Sequence, residues 1–497
     1  MHHNLDRPWV HISMGNLLRE LDGKVLLASV LLKRGFNVSL GSIGKMPETM
    51  ATLPRGIYID GRFSAARHRY ISHFIQLGFK VTAFDEEATS FPDAEYYGKY
   101  LVSAETLGLC KAAFCWGTHH ADAVRGVIPA SLHHAVQATG HPRFDLLREP
   151  GRTFYAADVA AIRKRYGKFV LVNSNAGGWR LEGRVEERWS QLCERYKMER
   201  TPAAYRKFLG QYEHGLKRHH DLLNLAMKIA GVFPEHTVVI RPHPSERLEE
   251  WRRWLPEGIG NIAVIREGSA VPWMKAAALT LHSSCTTGTE AFLAEAPVVS
   301  YLTDSLRGFD AELPNALSIR ARSESEALEL VRQALDGKLP PSQKERISKE
   351  ALAETHYAAR RGPLASERIS EILEKIAYTD TLSPTRLNDL VKDSKRTILL
   401  EPSRQIHQLV GDENQTSQNR RETKRLYREV TSRLNNTFAA VPCLAQPLVL
   451  TKTAAGTYLL TAATGESPSS RVARFRANLI TSLVRRVRTR KPRQMAD

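Results

Sequence analysis

The chain has 497 residues, 42% hydrophobic and 25% charged, a globular composition too long for one ordinary core and expected to form two α/β units with added material. A formal net charge of +18 and a pI of about 9.7 point to an anionic partner: a nucleotide, a phospholipid, an anionic glycan or nucleic acid. The five cysteines (Cys110, Cys115, Cys193, Cys285, Cys443) are odd in number, scattered and without zinc-knuckle spacing, which argues for a reducing compartment. No secretory signal precedes Trp9 and no run approaches the roughly 18 apolar residues of a spanning helix. The expected location is therefore cytoplasmic, with peripheral contact to the inner membrane left open.

In chain order, residues 9–13 read as a first strand, followed by Met14-Gly15-Asn16. A helix opened by Arg19-Glu20-Leu21-Asp22 carries Leu26, Leu27, Val30 and Leu31 at helical spacing. Gly35 caps it and residues 37–41 form a second strand, completing a βαβ unit. The order recurs with a strand at 56–60, a basic helix to Leu77, Gly78, and a strand at 80–84 that ends in Asp85-Glu86-Glu87. Residues 112–117 and 135–140 read as the last two strands of a unit spanning 1–150. His141-Pro142-Arg143-Phe144-Asp145 opens a connection to the second unit, 151–378. A charged helix at 156–166 leads there into a buried strand at 169–172, with Asn173-Ser174-Asn175 and Gly177-Gly178 at its end. A long polar helical region follows at 184–229, and helices near 323–335 and 366–376 close the unit.

Two stretches of the second unit share one design. Val238-Val239-Ile240 is a β-branched run stopped by Arg241-Pro242-His243-Pro244, two prolines that fix the loop holding the histidine, and Ser245 and Glu246 follow. Residues 279–282 form a second short strand, which breaks at His282 into Ser283-Ser284-Cys285-Thr286-Thr287-Gly288-Thr289. A helix near 290–295 and a strand near 297–301 come next. Two strand ends with polar loops, each leading into a helix, mark the carboxyl edge of a parallel sheet, where open α/β folds bind ligands. Hydroxyls and N–H groups at a helix start suit a phosphate, Gly288 admits close approach, and Glu290 suits the two hydroxyls of a ribose. Arg241, His243, Ser245, Glu246, His282, Ser283, Ser284, Thr286, Thr287, Glu290, Asn173 and Asn175 are thus the candidate nucleotide-binding residues. Serine and threonine runs also serve merely as caps and ST-turns.

Two acidic clusters lie on loops of the first unit: Glu20 with Asp22, and Asp85-Glu86-Glu87. Across a cleft from the phosphate site, any of the five suits a general base on an acceptor hydroxyl; in a helix first turn Glu20 and Asp22 also simply complement the dipole. The pairs His119-His120, His133-His134 and His219-His220 lack metal-ligand spacing. Walker A, Gly-x-Gly-x-x-Gly and Asp-x-Asp patterns do not occur, so no metal and no cofactor beyond a nucleotide-sugar substrate is expected. Charge on a leaving phosphate would fall to Arg241, His243 and the helix start.

Residues 379–497 read as an appended basic, partly helical extension. From Arg471 to Lys491, Val472, Phe475, Leu479, Leu483 and Val487 share one helical face, and Arg471, Arg474, Arg485, Arg488 and Arg490 cover much of the rest. Such a helix suits an anionic membrane surface, where each basic residue contributes about 1 kcal/mol. Packing on the protein's own body or binding nucleic acid fits the same pattern, although no aromatic except Phe475 is interleaved for base stacking.

Several collinear segments resemble the bacterial surface carbohydrate biosynthesis protein family over residues 8–378. They are RELDGKVLLASVLLKRGFNVSLGS (19–42), LPRGIYID (53–60), FDEEA (84–88), TGHPRFDLLR (139–148), YGKFVLVNSNAG (166–177), RPHPSE (241–246) and HSSCTTGTEAFLAEAPVVSY (282–301). The His-Pro and Ser-Ser elements are also similar to those of capsule Kdo transferases and polysialyltransferases, and more distantly to polyol-phosphate transferases of teichoic acid synthesis. The chain departs from the pattern at Ala176, where a bulkier residue is expected, and at His141, where Asn is commoner. The resemblance implies a GT-B fold of two Rossmann-like domains facing across a cleft, acceptor on the first and nucleotide sugar on the second. His243, Ser283 and Ser284 would then hold the nucleotide phosphate. The expectation is a glycosyltransferase of surface polysaccharide synthesis acting on a glycan or lipid-linked glycan acceptor, with a CMP-linked acidic sugar as first donor and UDP-sugars open. A polyol-phosphate transferase, a sugar-nucleotide epimerase and a non-catalytic scaffold of a polysaccharide assembly remain alternatives.

Overall fold

A computed structural model describes residues 7–44, 46–50, 53–86, 88, 97–98, 101–175, 185–196, 198–243, 246–256, 258–305, 309–339, 343–379, 429, 432–441, 444, 448–452 and 458–462. Glu87, Ser245, Gly177-Gly178 and the basic helix expected at 471–491 lie outside these residues.

The first unit is built on β1 (Trp9–Met14), β2 (Asn37–Ser42), β3 (Ile57–Asp60), β4 (Lys80–Phe84), β5 (Ala112–Cys115) and β6 (Val136–Ala138), parallel throughout and ordered β2-β1-β3-β4-β5-β6. The second is built on β7 (Phe169–Asn173), β8 (Thr237–Arg241), β9 (Ile262–Val264), β10 (Leu279–His282), β11 (Val298–Tyr301) and β12 (Ile319–Ala321), also parallel and ordered β12-β11-β10-β7-β8-β9. Most of these strands are short, nearly continuous apolar runs because helices cover both faces of each sheet. Some polar residues inside them are satisfied locally. Buried His11 donates from Nε2 to the Pro54 carbonyl at 2.8 Å, so its Nδ1, 2.7 Å from Ser39 Oγ, is the acceptor. The chain thus adopts the expected α/β arrangement of GT-B type, two Rossmann-like units each with its own sheet.

The helix Leu17–Lys33 organises the junction. It is buried on nearly every side, and at Gly23 a Cβ would come within 2.6 Å of the Arg143 backbone nitrogen. Only glycine lets the segment after β6 cross the helix so closely. One apolar cluster runs from Leu26, Val30 and Trp116 in the first unit to Leu171, Val239 and Ala291 in the second, so the two units share buried surface.

The helix Ala365–Thr379, last in the second unit by sequence, lies on the first. Ile369 and Leu373 pack with Leu27 and Leu31, and Arg34 pairs with Glu371 and Glu374 at 3.1 and 2.9 Å. Asp145 caps its start, accepting from the N–H groups of Ala365 and Ser366 at 2.8 and 2.9 Å and from the Ser366 hydroxyl at 2.8 Å.

Part of the appended region is integral to the fold. β14 (Tyr458–Ala462) pairs antiparallel with the β2 edge, and β13 (Leu448–Lys452) pairs antiparallel with β14, so the first sheet has eight strands among the described residues. Arg433 pairs with Asp22 at 3.1 Å and with Asp158 at 2.7 Å, one carboxylate from each unit. Arg433→Ala would leave the Asp22 carboxylate buried without its cation, a loss of about 3 kcal/mol. The expected result is a clearly lower urea midpoint at pH 7, and an unchanged midpoint would show that this bridge does not hold the units together.

Candidate functional site

In the second sheet the chain runs outward from β7 through β8 to β9, then returns to the other side of β7 for β10. The switch point lies between β7 and β10, and the crevice beyond it is where the topology leaves room for a ligand. Asn173 ends β7, in register with Arg241 on β8 and with His282 on β10. The Asn173 amide, only 2% exposed, has no hydrogen-bond partner for its nitrogen or its oxygen among the described residues, and neither do the buried hydroxyls of Ser283 and Thr289. Buried polar groups are nearly always satisfied. A cluster of unsatisfied ones at a switch point marks where a polar ligand fits.

Other residues of the two loops are spent on building them. His282, fully buried, accepts the Cys285 N–H on Nδ1 at 3.2 Å and donates from Nε2 to the Ser318 hydroxyl at 2.8 Å. Burial lowers its pKa to about 3. It lies beneath the loop as a neutral support, and Gly288 is needed there because a Cβ would sit 2.3 Å from its Nε2. Ser284 takes a left-handed backbone, φ 52°, strained for a residue with a Cβ. It is held by Asn175, which donates to its carbonyl at 2.8 Å, and by its own hydroxyl, which donates to Asp310 and accepts from Asn315. Asp310 in turn meets His214 and Arg218 at 2.9 and 3.1 Å. Burial opposes its charge, but these donors hold it below the usual carboxylate range. Ser284 and Asn175 therefore shape the loop, whereas the Ser283 hydroxyl stays available. Thr286 and Thr287 are half-buried at the helix start, and Thr287 donates to the Cys285 thiol. The helix itself, Thr287–Leu293, is shorter than two turns.

On the neighbouring loop, Arg241 donates to the carbonyls of Glu267 (2.7 Å) and Gly268. Burial, then Arg266, lowers it to about 10, so it remains a cation at neutral pH. The Ser174 hydroxyl accepts the His243 N–H at 3.1 Å and donates to Glu246, which also accepts from Trp251 at 2.8 Å. Glu246 thereby orients the loop and leaves the half-buried His243 ring at its rim.

The acidic candidates lie on the first unit. Glu20 reaches back to the N–H groups of Gly15 and Asn16 at 2.9 and 2.8 Å, beyond the end of β1. Burial and then the charge of Glu86 raise its pKa, against the pull of Lys24. Glu86, also buried, behaves oppositely. Lys24 at 2.6 Å and His141 at 3.1 Å outweigh its burial and keep it ionised. His141 accepts the Arg143 N–H on Nδ1, so Nε2 carries the proton toward Glu86, and burial lowers its pKa to about 4. Asp85 accepts from Tyr97, whose oxygen also meets His120 Nε2. Asp22 is engaged by Tyr155 and Arg433. Of the acidic candidates, Glu20 and Glu86 share one buried electrostatic cluster, while Asp85 and Asp22 belong to separate networks. Arg143 closes the gap between the units: its Nε lies 3.2 Å from Glu290 of the second unit.

Sequence reading passed over Lys24, His141, Arg143, Asp310 and Asn315. One signal for His141 and Arg143 was present. Gly140-His141-Pro142-Arg143 after β6 repeats the strand–Pro–basic design of Arg241-Pro242-His243 after β8. Lys24, Asp310 and Asn315 have no local signature.

Among the described residues no group of His, Cys, Asp and Glu could hold a metal ion, and no helix is long and apolar enough to cross a membrane. No protein-family model and no curated protein matches the chain. Solved structures similar to it include the UDP-GlcNAc 2-epimerase of Methanocaldococcus jannaschii in complex with UDP-GlcNAc and UDP, 11% identical over 74% of this chain and 99% of that one with a TM-score of 0.42. Another is the Neisseria meningitidis UDP-GlcNAc 2-epimerase bound to UDP-GlcNAc, 12% identical over 74% and 100% with a TM-score of 0.44. The wall teichoic acid polymerase TagF is 9% identical over 76% and 90% with a TM-score of 0.46. At such identities no residue role carries over.

Proposed function

We propose that the protein is a glycosyltransferase of bacterial surface polysaccharide synthesis, binding a nucleotide sugar on its second unit and a glycan or lipid-linked acceptor on its first. The observation that supports this best is the set of unsatisfied buried polar groups at the β7–β10 switch point, Asn173, Ser283 and Thr289, with the acidic candidates Glu20 and Glu86 on the first unit. An acceptor hydroxyl attacks the anomeric carbon and its proton passes to Glu20. The bond from that carbon to the phosphate oxygen breaks with its electron pair on the phosphate. Arg241 and His243 meet the resulting charge. The likeness of the His-Pro and Ser-Ser elements to those of capsule transferases makes a CMP-linked acidic sugar the first donor to test and UDP-sugars the second. The basic segment 471–491 supports attachment to an anionic membrane face.

A sugar-nucleotide epimerase is the second reading, because Glu20 and Glu86 have environments that push their pKa values apart, as an acid–base pair requires. Product analysis separates the two: free nucleotide with a lengthened glycan, or an isomerised sugar nucleotide without release.

The test begins with thermal stabilisation by CMP, CDP, UDP, GDP and ADP. A nucleotide at 100 times its dissociation constant should add about 2.7 kcal/mol. That gain should disappear in Asn173→Ala and fall in His243→Ala. No response to any of the five would favour a non-catalytic scaffold.

A further inference from the structure

Arg143 is 5% exposed and belongs to the first unit. Its guanidinium lies 5.0 Å from the ring centres of both Trp116 and Phe144, and its own backbone N–H is fixed by His141 at 3.2 Å. Its guanidinium meets the second unit at Glu290, with Nε 3.2 Å from the carboxylate. That contact is an ion pair without hydrogen-bond geometry, and Nη1 has no hydrogen-bond partner among the described residues. A guanidinium carries five donors in a planar fork that suits the oxygens of a carboxylate or phosphate. Here a buried, aromatic-clamped guanidinium with donors unused meets Glu290, the residue next to unsatisfied Thr289.

We infer that Arg143 is a binding residue for an anionic group of the ligand, reaching across from the first unit to a molecule seated on the second. The inference rests on the nucleotide reading of the β7–β10 crevice. Glu290 is the carboxylate best placed for a ribose diol. When the diol engages it, the Arg143 fork transfers its donors to the phosphate or sugar carboxylate attached to the same ligand. The switch costs little, because the aromatic clamp already holds the cation in place and the ion pair it leaves has poor geometry. One residue then couples occupation of the second unit to alignment of the first, whose Glu86 lies beside His141 at the base of the same loop.

The experiment compares three probes by calorimetry on the full chain: the nucleoside, its diphosphate, and the corresponding nucleotide bearing an acidic sugar. Wild type is expected to prefer the diphosphate over the nucleoside. Arg143→Met should cut diphosphate affinity about 10- to 100-fold, as for loss of a charge-assisted hydrogen bond, and leave nucleoside affinity within about threefold of wild type. Arg143→Lys should restore part of the preference, since it keeps the charge without the fork. Glu290→Gln should weaken nucleoside and diphosphate alike and keep their ratio. If the diphosphate loses affinity in Arg143→Met, phosphate is the group bound. If only the acidic-sugar nucleotide does, the group is the sugar carboxylate. If neither the diphosphate nor the acidic-sugar nucleotide loses affinity in Arg143→Met, with the variant folded by its melting curve, the inference is overturned and the nucleotide site is left standing. Absence of any nucleotide binding to wild type overturns both.

Discussion

Glu20→Gln should lower turnover by about 10²- to 10⁴-fold while nucleotide-induced stabilisation stays at the wild-type level. Glu20 is bonded to the loop beyond the end of β1, and burial together with ionised Glu86 raises its proton affinity. A base works best when its pKa lies near the operating pH, so the same environment that makes Glu20 costly to ionise makes it useful. Glu86 is the weaker choice. Lys24 and His141 hold its charge so firmly that it has little tendency to take a proton, and its role is to tune Glu20.

The replacement is a fair one. Glutamine keeps the volume and an acceptor oxygen for one of the Gly15 and Asn16 N–H groups; it gives up the other bond and removes a charge that burial disfavours. These two effects oppose each other, so the melting temperature of the variant should stay close to that of wild type near neutral pH. Wild-type kcat/KM should rise with pH through a midpoint above the usual glutamate value, and this limb should vanish in the variant. Turnover within about threefold of wild type would remove Glu20 from the mechanism.

The second large effect concerns acid. His282 is fully buried and neutral, with its pKa lowered from 6.5 to about 3. The sign follows from linkage. The unfolded chain binds a proton at this residue below pH 6.5 and the folded chain does not, so its contribution is present above 6.5 and is lost as pH falls toward 3. Between pH 7 and 5 that amounts to about 2 kcal/mol from this one residue. Buried Asp145, raised to about 6 by burial against its three donors, acts in the opposite direction, which is why the comparison should be made between variants. In His282→Asn the side-chain oxygen can still accept the Cys285 N–H, and no group titrates. Urea unfolding from pH 7 to 5 should show wild type losing about 2 kcal/mol more than this variant. Parallel pH profiles would mean that His282 is protonated within the fold and that the loop over it is looser than its bonds indicate.

Much of the architecture was legible before any coordinates. The β-branched runs at 169–172 and 238–240, the glycines after helices and the prolines after strands are local signals, and neighbouring residues alone determine them. They located the six strands of the first unit, β7, β8, β10 and β11 of the second but not the three-residue β9 and β12, the switch-point loops and the short list around Asn173 and Ser283. The tertiary structure decided which listed residues face the crevice and which support it. His282 and Ser283 are adjacent and equally polar, yet one is bonded beneath the loop and the other is left unsatisfied. Lys24 could be recognised only once Glu86 and His141, distant in sequence, were packed around it. The same holds for Asp22, whose partner Arg433 lies in a region that reads as an appendage, and for helix Ala365–Thr379, which crosses back to the first unit because Asp145 caps it there. Pairing between distant residues depends on how the chain closes its long loops, and local composition carries no record of that closure.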